Sequence, residues 1–392
     1  MNLLKDYFEQ ISSKIITKSY SENEWMLKNF ALQKVHLKNI KLAQSFEKLC
    51  NEKNEILTFG EFITEEMYGK NGYYNTHIDF GKTGIEKVWS NAIINICEEN
   101  SIHSILEIGS GDGSLGIETL KIAKKNNISF KWTGIEVNNN LVNQLRKTLQ
   151  KIKIDNFLVF NSLKNVSFDK YLVIFPYSLD SMANEVMVNI QNKKSNINSL
   201  LGIKVKNNYL EETLLTKDNL NKRNISFKNN IFTGANEHSL DFSSWKLKPF
   251  QRAYLPIKGF LNILETIEKI NKDSMFLIID EIKPPPNLER ISHLGTPRVL
   301  NHPKRDYSSI EGAYHNIGNN LWYFPFYLKP LINFLKQLGF YDVNFDVEDK
   351  LAAFLGKNKW NKPGLYLRCA IIAKYKIISN KKSFSLTSPF EQ

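Results

Sequence analysis

No two cysteines of this chain stand near each other. Cys50, Cys97 and Cys369 are isolated, with no Cys-x-x-Cys and no histidine at ligand spacing beside them. That argues against structural zinc and against a disulfide framework, and it fits a reducing compartment. Also missing is any apolar run approaching the ~18 residues of a membrane span. The first residues, Met1 to Gln10, carry charge and lack the apolar core of about 7 to 15 residues that a signal peptide needs. The expectation is a cytoplasmic protein with no membrane partner. A third absence concerns nucleic acid. The net charge is +12, but the excess is spread over residues 1–50, residues 193–228 and the tail from Lys374, and no Lys/Arg block with interleaved aromatics occurs. Such a distribution reads as solvated surface rather than a polyanion groove, so nucleic acid is not the expected partner, while an anionic acceptor stays open.

What is present is enough apolar material, 42% of 392 residues, for a large core. The length suits one core of about 200 to 250 residues carrying insertions and an N-terminal extension. The chain is organised around Ser104 to Gly116. A short apolar run, Ile105 to Ile108, breaks into Gly109, Gly111 and Gly113, and helical periodicity follows from Leu115 to Ala123. This predicts strand, glycine turn and helix, with a backbone that must come close to a nucleotide-like ligand. Two patterns overlap. Gly111, Gly113 and Gly116 fit G-x-G-x-x-G, and Glu136 follows twenty residues later at the end of a second apolar run, Trp132 to Val137. That is where a ribose-binding acid belongs, so a nicotinamide dinucleotide is allowed. Glu107, Gly109, Gly111 and Gly113 also fit E-x-G-x-G-x-G.

The second pattern resembles the first motif of the Rossmann-like S-adenosylmethionine-dependent methyltransferases. The resemblance implies that Glu107 orients the methionine amino end and that Glu136 holds both ribose hydroxyls of S-adenosyl-L-methionine. Ser110 within the turn, Val137 beside Glu136, and Pro176 at the end of a later strand join the cofactor-lining candidates. Upstream, Leu57 to Tyr68 followed by Gly69-Lys70-Asn71-Gly72-Tyr73-Tyr74 is similar to the segment before the glycine motif in the MidA-type methyltransferases, which include the mitochondrial complex I assembly methyltransferase. In that family the segment closes over the cofactor, which implies Tyr73 and Tyr74 as pocket residues. The chain then departs from the family with a short Asn75 to Gly84 stretch, where His77 and Asp79 are pocket-lining or ordinary loop polars.

After Glu136 a helix over Leu141 to Leu149, a strand at Phe157 to Phe160 and a strand from Tyr171 to Tyr177 continue a βαβαβ rhythm, which predicts a parallel sheet covered on both faces. Ligands bind such sheets at the carboxyl ends of their strands. There the chain reads Phe175-Pro176-Tyr177-Ser178-Leu179-Asp180, with Asn184-Glu185 beyond. By resemblance Pro176-Tyr177 and Asp180 stand on the acceptor side; alternatively Asp180 caps the next helix. Residues 193–250, with strand-like Leu200 to Val205 and Ile225 to Phe232, read as an insertion over the strand ends. A helix around Leu261 to Ile270 and the strand Met275 to Glu281 resume the core. Residues 287–320 carry little periodicity and many aromatics, with His315 the histidine to test as a base. A helix near Leu328 to Leu338 and strands Tyr341 to Val347 and Leu365 to Lys374 close the chain like the antiparallel final hairpin of the methyltransferase sheet.

The expected fold is therefore α/β: a Rossmann-like, seven-stranded, mostly parallel methyltransferase sheet with an antiparallel final strand. A helical cap over residues 1–56 precedes a domain over 57–376, with insertions at about 193–250 and 283–325 and a tail over 377–392. The expected activity is methyl transfer to a protein, peptide or small-molecule acceptor, with Asp180, Tyr177 and His315 as catalytic candidates. The alternatives are an NAD-dependent oxidoreductase and a non-catalytic assembly or interaction factor on the same fold.

Overall fold

The computed structural model describes residues 32–53, 55–76, 85–179, 181–191, 196–235, 237–247, 252–280, 282–283, 293–294, 298–301, 307–308, 310–324, 326–347, 369–376 and 382–388. Seven strands, numbered in chain order, make the main sheet: β1 (Ser104–Ile108), β2 (Lys131–Ile135), β3 (Phe157–Phe160), β4 (Tyr171–Pro176), β5 (Met275–Asp280), β6 (Phe340–Val347) and β7 (Cys369–Tyr375). They lie in the order β3-β2-β1-β4-β5-β7-β6. The first five are parallel, and β7 runs antiparallel to both β5 and β6.

Continuous apolar strands are what a sheet covered on both faces requires, and the pleat sorts their side chains by parity. Ile105, Leu172, Ile174, Leu277 and Ile279 face one core, with Trp89, Leu120, Trp132 and Leu149. Leu106, Ile108, Val173, Phe175, Phe276 and Ile278 face the other, with Phe260, Ile263, Leu331 and Phe334. The first core is covered by α3 (Ile85–Glu99), α4 (Ser114–Lys125) and α5 (Asn139–Ile152), the second by α6 (Ile257–Ile267) and α7 (Leu328–Gln337). Two earlier helices, α1 (Ile40–Glu52) and α2 (Phe59–Tyr68), belong to a separate layer. Their starts are written in the sequence. Asn39 caps α1, and Thr58 with Glu61 forms a capping box on α2, each satisfying backbone donors that a helix start leaves unpaired.

That separate layer is a second sheet. Lys34–His36, Tyr209–Leu214, Asn196–Lys206, Glu185–Gln191, Arg252–Leu255 and His293–Leu294 lie side by side, with Leu57–Thr58 paired to Asn196–Lys206. Phe46, Phe59, Phe62, Tyr254 and Trp322 fill the core beneath it. One buried ion pair crosses it: Arg252 Nη1 and Nη2 donate to Glu212 Oε1 and Oε2 at 3.0 and 2.9 Å, and the Tyr314 hydroxyl donates to Glu212 Oε1 at 2.8 Å.

Four expectations are corrected here. The cap expected to be helical over residues 1–56 is not purely helical in its described part. Val35 is buried between exposed Lys34 and His36, the period of a strand, and Asn39 begins the helix only afterwards. Ile225 to Phe232 is two strands, Ser226–Lys228 and Ile231–Thr233, joined at Asn229 and Asn230 with φ of 53° and 63°, the backbone of a tight hairpin turn. The 287–320 stretch carries short strands at Arg298–Asn301 and Tyr307–Ser308 and a helix at Ile310–His315. Within the tail, Ser383–Ser385 pairs in parallel with Ser239–Asp241, and Trp245 Nε1 donates to the Leu386 carbonyl at 3.1 Å.

Candidate functional site

The glycine turn leaves the carboxyl end of β1. Gly109, Gly111 and Gly113 have φ of 81°, 53° and 75°, the left-handed region that costs a residue with a Cβ about 1–2 kcal/mol. Their reasons differ. A Cβ on Gly111 would meet nothing within 4 Å, so its backbone faces open space, whereas one on Gly113 would sit 2.4 Å from Leu145 Cδ1 of α5. Gly111 leaves its backbone open to close approach from the cavity side, and Gly113 serves packing. The turn is tied to the next strand by Gly109 and Ser110 amides donating to the Ile135 carbonyl at 2.8 and 3.0 Å.

Glu136 follows Ile135 directly and is 7% exposed. Its Oε2 accepts from the Gly111 amide at 3.0 Å and its Oε1 from the Asn138 amide at 2.8 Å. Burial raises its pKa above the usual carboxylate value, opposed by those backbone donors. Each carboxylate oxygen keeps acceptor capacity, so two vicinal hydroxyls have partners here. Val137, 61% exposed, offers an apolar surface beside them.

The cavity bounded by these groups encloses about 210 Å³, lined by Tyr74, Gly109, Gly111, Glu136, Val137 and Tyr177 among the sequence candidates. Tyr177 emerges from β4 with φ of 50°, held by its amide to the Ile279 carbonyl at 2.7 Å. The loop beyond it is fixed by Asp280, whose Oδ2 accepts from the Leu179 amide at 2.9 Å. Tyr74 is placed from the other side. Asn138 Nδ2 donates to its carbonyl at 3.3 Å and Asn140 Nδ2 to Asn75 Oδ1 at 2.8 Å, and its ring stacks on Tyr68 at 4.9 Å. The Tyr68 hydroxyl donates to the Ser181 carbonyl at 3.2 Å, joining the end of α2 to the loop after β4.

Other candidates stand outside the lining. Glu107 shares the strand face of Ile105, not that of Ile108. The pleat therefore turns it away from the cavity toward Trp132, whose Nε1 donates to Glu107 Oε2 at 2.9 Å. Buried there, its pKa is pushed up to about 8. Ser110 is buried with its Oγ facing Gly134, Gly113 packs on α5, and Tyr73 is buried edge-on to Tyr74. Pro176 pairs with Ile279 within the sheet. His315 is exposed at the end of its helix and lines none of the described cavities; its neighbour Tyr314 is the one turned inward, onto Glu212. Asp180, His77 and Asp79 lie outside the described residues.

The lining residues that sequence reasoning did not single out are Tyr68, Ser178, Ser181, Met182, Lys258 and Asn262. Lys258 and Asn262 are four apart on α6 and so share a face, but nothing in the sequence said which face meets the cavity.

A second cavity, of about 860 Å³, adjoins the first, and Lys258 lines both. Along it stands Glu185, the first residue of its strand, whose Oε1 accepts from Thr58 Oγ1 at 2.7 Å and Oε2 from the Gly60 amide at 3.2 Å. Desolvation pushes its pKa up to about 7.

No family model matches the chain, and no curated protein matches it. Solved structures do. An uncharacterized protein from Burkholderia thailandensis superposes with a TM-score of 0.60 at 11% identity, over 87% of this chain and 93% of that one. A second member of that superfamily from the same organism, described as a candidate methyl transferase and bound to S-adenosyl-homocysteine, superposes with a TM-score of 0.59 at 12% identity over 87% and 93%. At such identities the likeness is one of fold, and the fold is that of the class I methyltransferases.

Proposed function

We propose that the chain is an S-adenosylmethionine-dependent methyltransferase. The observation that carries this reading is the open backbone at Gly111 beside the Glu136 carboxylate, at the adjoining carboxyl ends of β1 and β2, in a sheet ordered β3-β2-β1-β4-β5-β7-β6. Glu136 would hold the ribose hydroxyls, the backbone from Gly109 to Gly111 the amino-acid end, and Val137 with Leu141 the base. Tyr74 and Tyr68 would cover it, and Tyr177 would face the acceptor. S-adenosylhomocysteine in the related structure fits the same assignment. In this reading residues 57–376 form the catalytic unit, with the second sheet assembled on it.

The cofactor supplies a methyl group on a sulfonium, a leaving group that needs no activation by the protein. The chain's task is then alignment, where near-attack positioning contributes roughly 7 to 11 kcal/mol. A base is needed only where the acceptor arrives protonated.

The cavity of about 210 Å³ is smaller than the roughly 300–1,000 Å³ of ordinary ligand pockets. That favours, as a second reading, an interaction factor that keeps the fold without the cofactor. Calorimetric titration with S-adenosylhomocysteine, with NAD in parallel, separates them. Micromolar binding of S-adenosylhomocysteine alone supports the enzyme, binding of NAD alone the oxidoreductase, and binding of neither the interaction factor.

A further inference from the structure

The larger cavity has a chemistry of its own. Its wall carries four carboxylates, Glu52, Glu61, Glu65 and Glu185, and four cations, Lys53, Lys222, Arg223 and Lys258. Several of these are spoken for. Glu61 takes Arg223 at 3.1 Å and Lys53 at 3.6 Å, Glu52 takes Lys48 at 3.9 Å, and Glu65 takes the Ser45 hydroxyl at 2.8 Å. Glu185 has only neutral donors, Thr58 and Gly60 at the start of α2; among the described residues no cation stands in ion-pair contact with it. Lys258 and Arg223 are near enough to interact with it electrostatically, yet the Lys258 ammonium goes to Thr64 Oγ1 at 3.4 Å and Arg223 to Glu61. A carboxylate locked in place by two donors, partly open to a groove and without a direct ion pair among the described residues, is a receptor for a cation. The groove adjoins the cofactor cavity at Lys258, which lines both, so a ligand held in the groove stands beside the cofactor.

Resting on the methyltransferase reading, we infer that this groove receives the methyl acceptor as a primary amine, with Glu185 binding its ammonium and accepting its proton before transfer. Three comparisons select an amine. A guanidinium can fork onto the acceptor site left on each Glu185 oxygen, but its pKa, well above that of an ammonium, leaves it charged and without a free lone pair. A carboxylate acceptor is repelled by Glu185 and has no use for a base. An ammonium is a compact point charge that one carboxylate lone pair can hold, and its ordinary pKa of ~10.4 lies below that of a guanidinium, so it gives up a proton more readily. The Glu185 pKa of about 7, raised by desolvation and by Glu61 and lowered by Thr58, Gly60 and Arg223, suits a proton acceptor working near neutrality.

The step balances. An ammonium N–H bond breaks and its proton passes to the Glu185 carboxylate. The freed amine lone pair forms the N–C bond as the C–S bond breaks, its electron pair staying on sulfur. The products are a methylated ammonium, neutral Glu185 and S-adenosylhomocysteine. Net charge is unchanged.

The test uses the full chain and measures S-adenosylhomocysteine release from S-adenosylmethionine with three probes: a lysine-containing peptide, the same peptide with arginine in place of lysine, and 1,4-diaminobutane. The expected result is turnover with one or both amines and none with the arginine peptide; the lysine peptide and the diamine distinguish a polypeptide acceptor from a small one. Glu185→Gln should bind S-adenosylhomocysteine as the wild type does and lose about 100-fold or more in kcat. Part of that loss should return as pH rises and the amine deprotonates unaided, a recovery that a merely structural role would not produce. Lys258→Met, at an exposed position, should shift the pH profile of the reaction upward. Cofactor binding with arginine preferred, with no amine turnover, or with Glu185→Gln at the wild-type rate overturns the inference alone. Failure to bind S-adenosylhomocysteine overturns the methyltransferase reading beneath it, and the inference with it.

Discussion

Glu66, on α2, holds Gly318, Asn320 and Trp322 against that helix, and Glu66→Gln tests that role. The residue is 0% exposed. Its Oε1 accepts from Asn320 Nδ2 at 2.8 Å and from the Gly318 amide at 3.4 Å, and its Oε2 accepts from the Trp322 indole N–H at 2.7 Å. Burial pushes its pKa up to about 8, so near neutrality it is largely the neutral acid, whose two oxygens still accept from all three donors. Glutamine keeps the shape but owns one acceptor oxygen. Turned toward Asn320 and Gly318, it sets an NH2 against the Trp322 N–H; turned the other way, it orphans two donors. The cheaper arrangement leaves one buried donor unpaired, a cost of about 1–3 kcal/mol. Urea unfolding of variant and wild type at pH 6.5, converted with the measured slope, checks this. A loss under about 0.5 kcal/mol would refute the reasoning and make Glu66 an incidental buried acid. Tyr68 lies two residues on at the cavity wall, so a weakened clamp should also loosen S-adenosylhomocysteine binding.

Four further outcomes follow from the same geometry. Glu136→Ala should weaken S-adenosylhomocysteine binding by roughly 1.5–3 kcal/mol, the worth of hydrogen bonds to a charged acceptor; unchanged affinity by calorimetry would remove Glu136 from the cofactor site. Gly113→Ala should destabilise the fold by about 1–3 kcal/mol through overpacking against Leu145 in addition to the about 1–2 kcal/mol of its positive φ, while Gly111→Ala should lose only the about 1–2 kcal/mol of its positive φ and in addition impair cofactor binding. Glu66 and Glu107, near 8, and Glu185, near 7, all bind protons more tightly folded than unfolded. Their stabilising contribution is full below the unfolded value of ~4.3 and is lost as pH rises through about 7 to 8. Unfolding free energy should therefore fall across that window, less steeply in Glu66→Gln, and a rise there would contradict the assignment. Arg252→Met leaves Glu212 buried without its counter-ion, which should cost about 3–5 kcal/mol in chemical denaturation.

The sequence by itself determined the half of the main sheet that starts from the glycine turn. Strand, glycine turn and helix around Ile105 to Ala123, the acid at Glu136 and the apolar strands at Phe157 and Tyr171 are local signals, each set by a period of side chains or by a backbone conformation that only glycine adopts cheaply. Their positions in the sheet follow from short parallel crossovers that leave little choice of neighbour. Gly109, Gly111, Glu136, Val137 and Tyr177 are brought to one cavity for the same reason, and Tyr74 joins them through Asn138 and Tyr68. Only the tertiary structure decided the rest. The second sheet joins Lys34–His36 and Leu57–Thr58 to strands between Glu185 and Leu255 and to His293–Leu294, pairings between distant segments that no local period encodes. It turned Glu107 under the turn to Trp132, because strand parity, not motif membership, decides which way a side chain points. It left His315 at the surface with Tyr314 inside. It also placed Lys258 between the two cavities and Thr58 against Glu185, 127 residues apart in sequence. Those contacts depend on how an insertion docks, and docking is set by the shapes and charges of both surfaces at once.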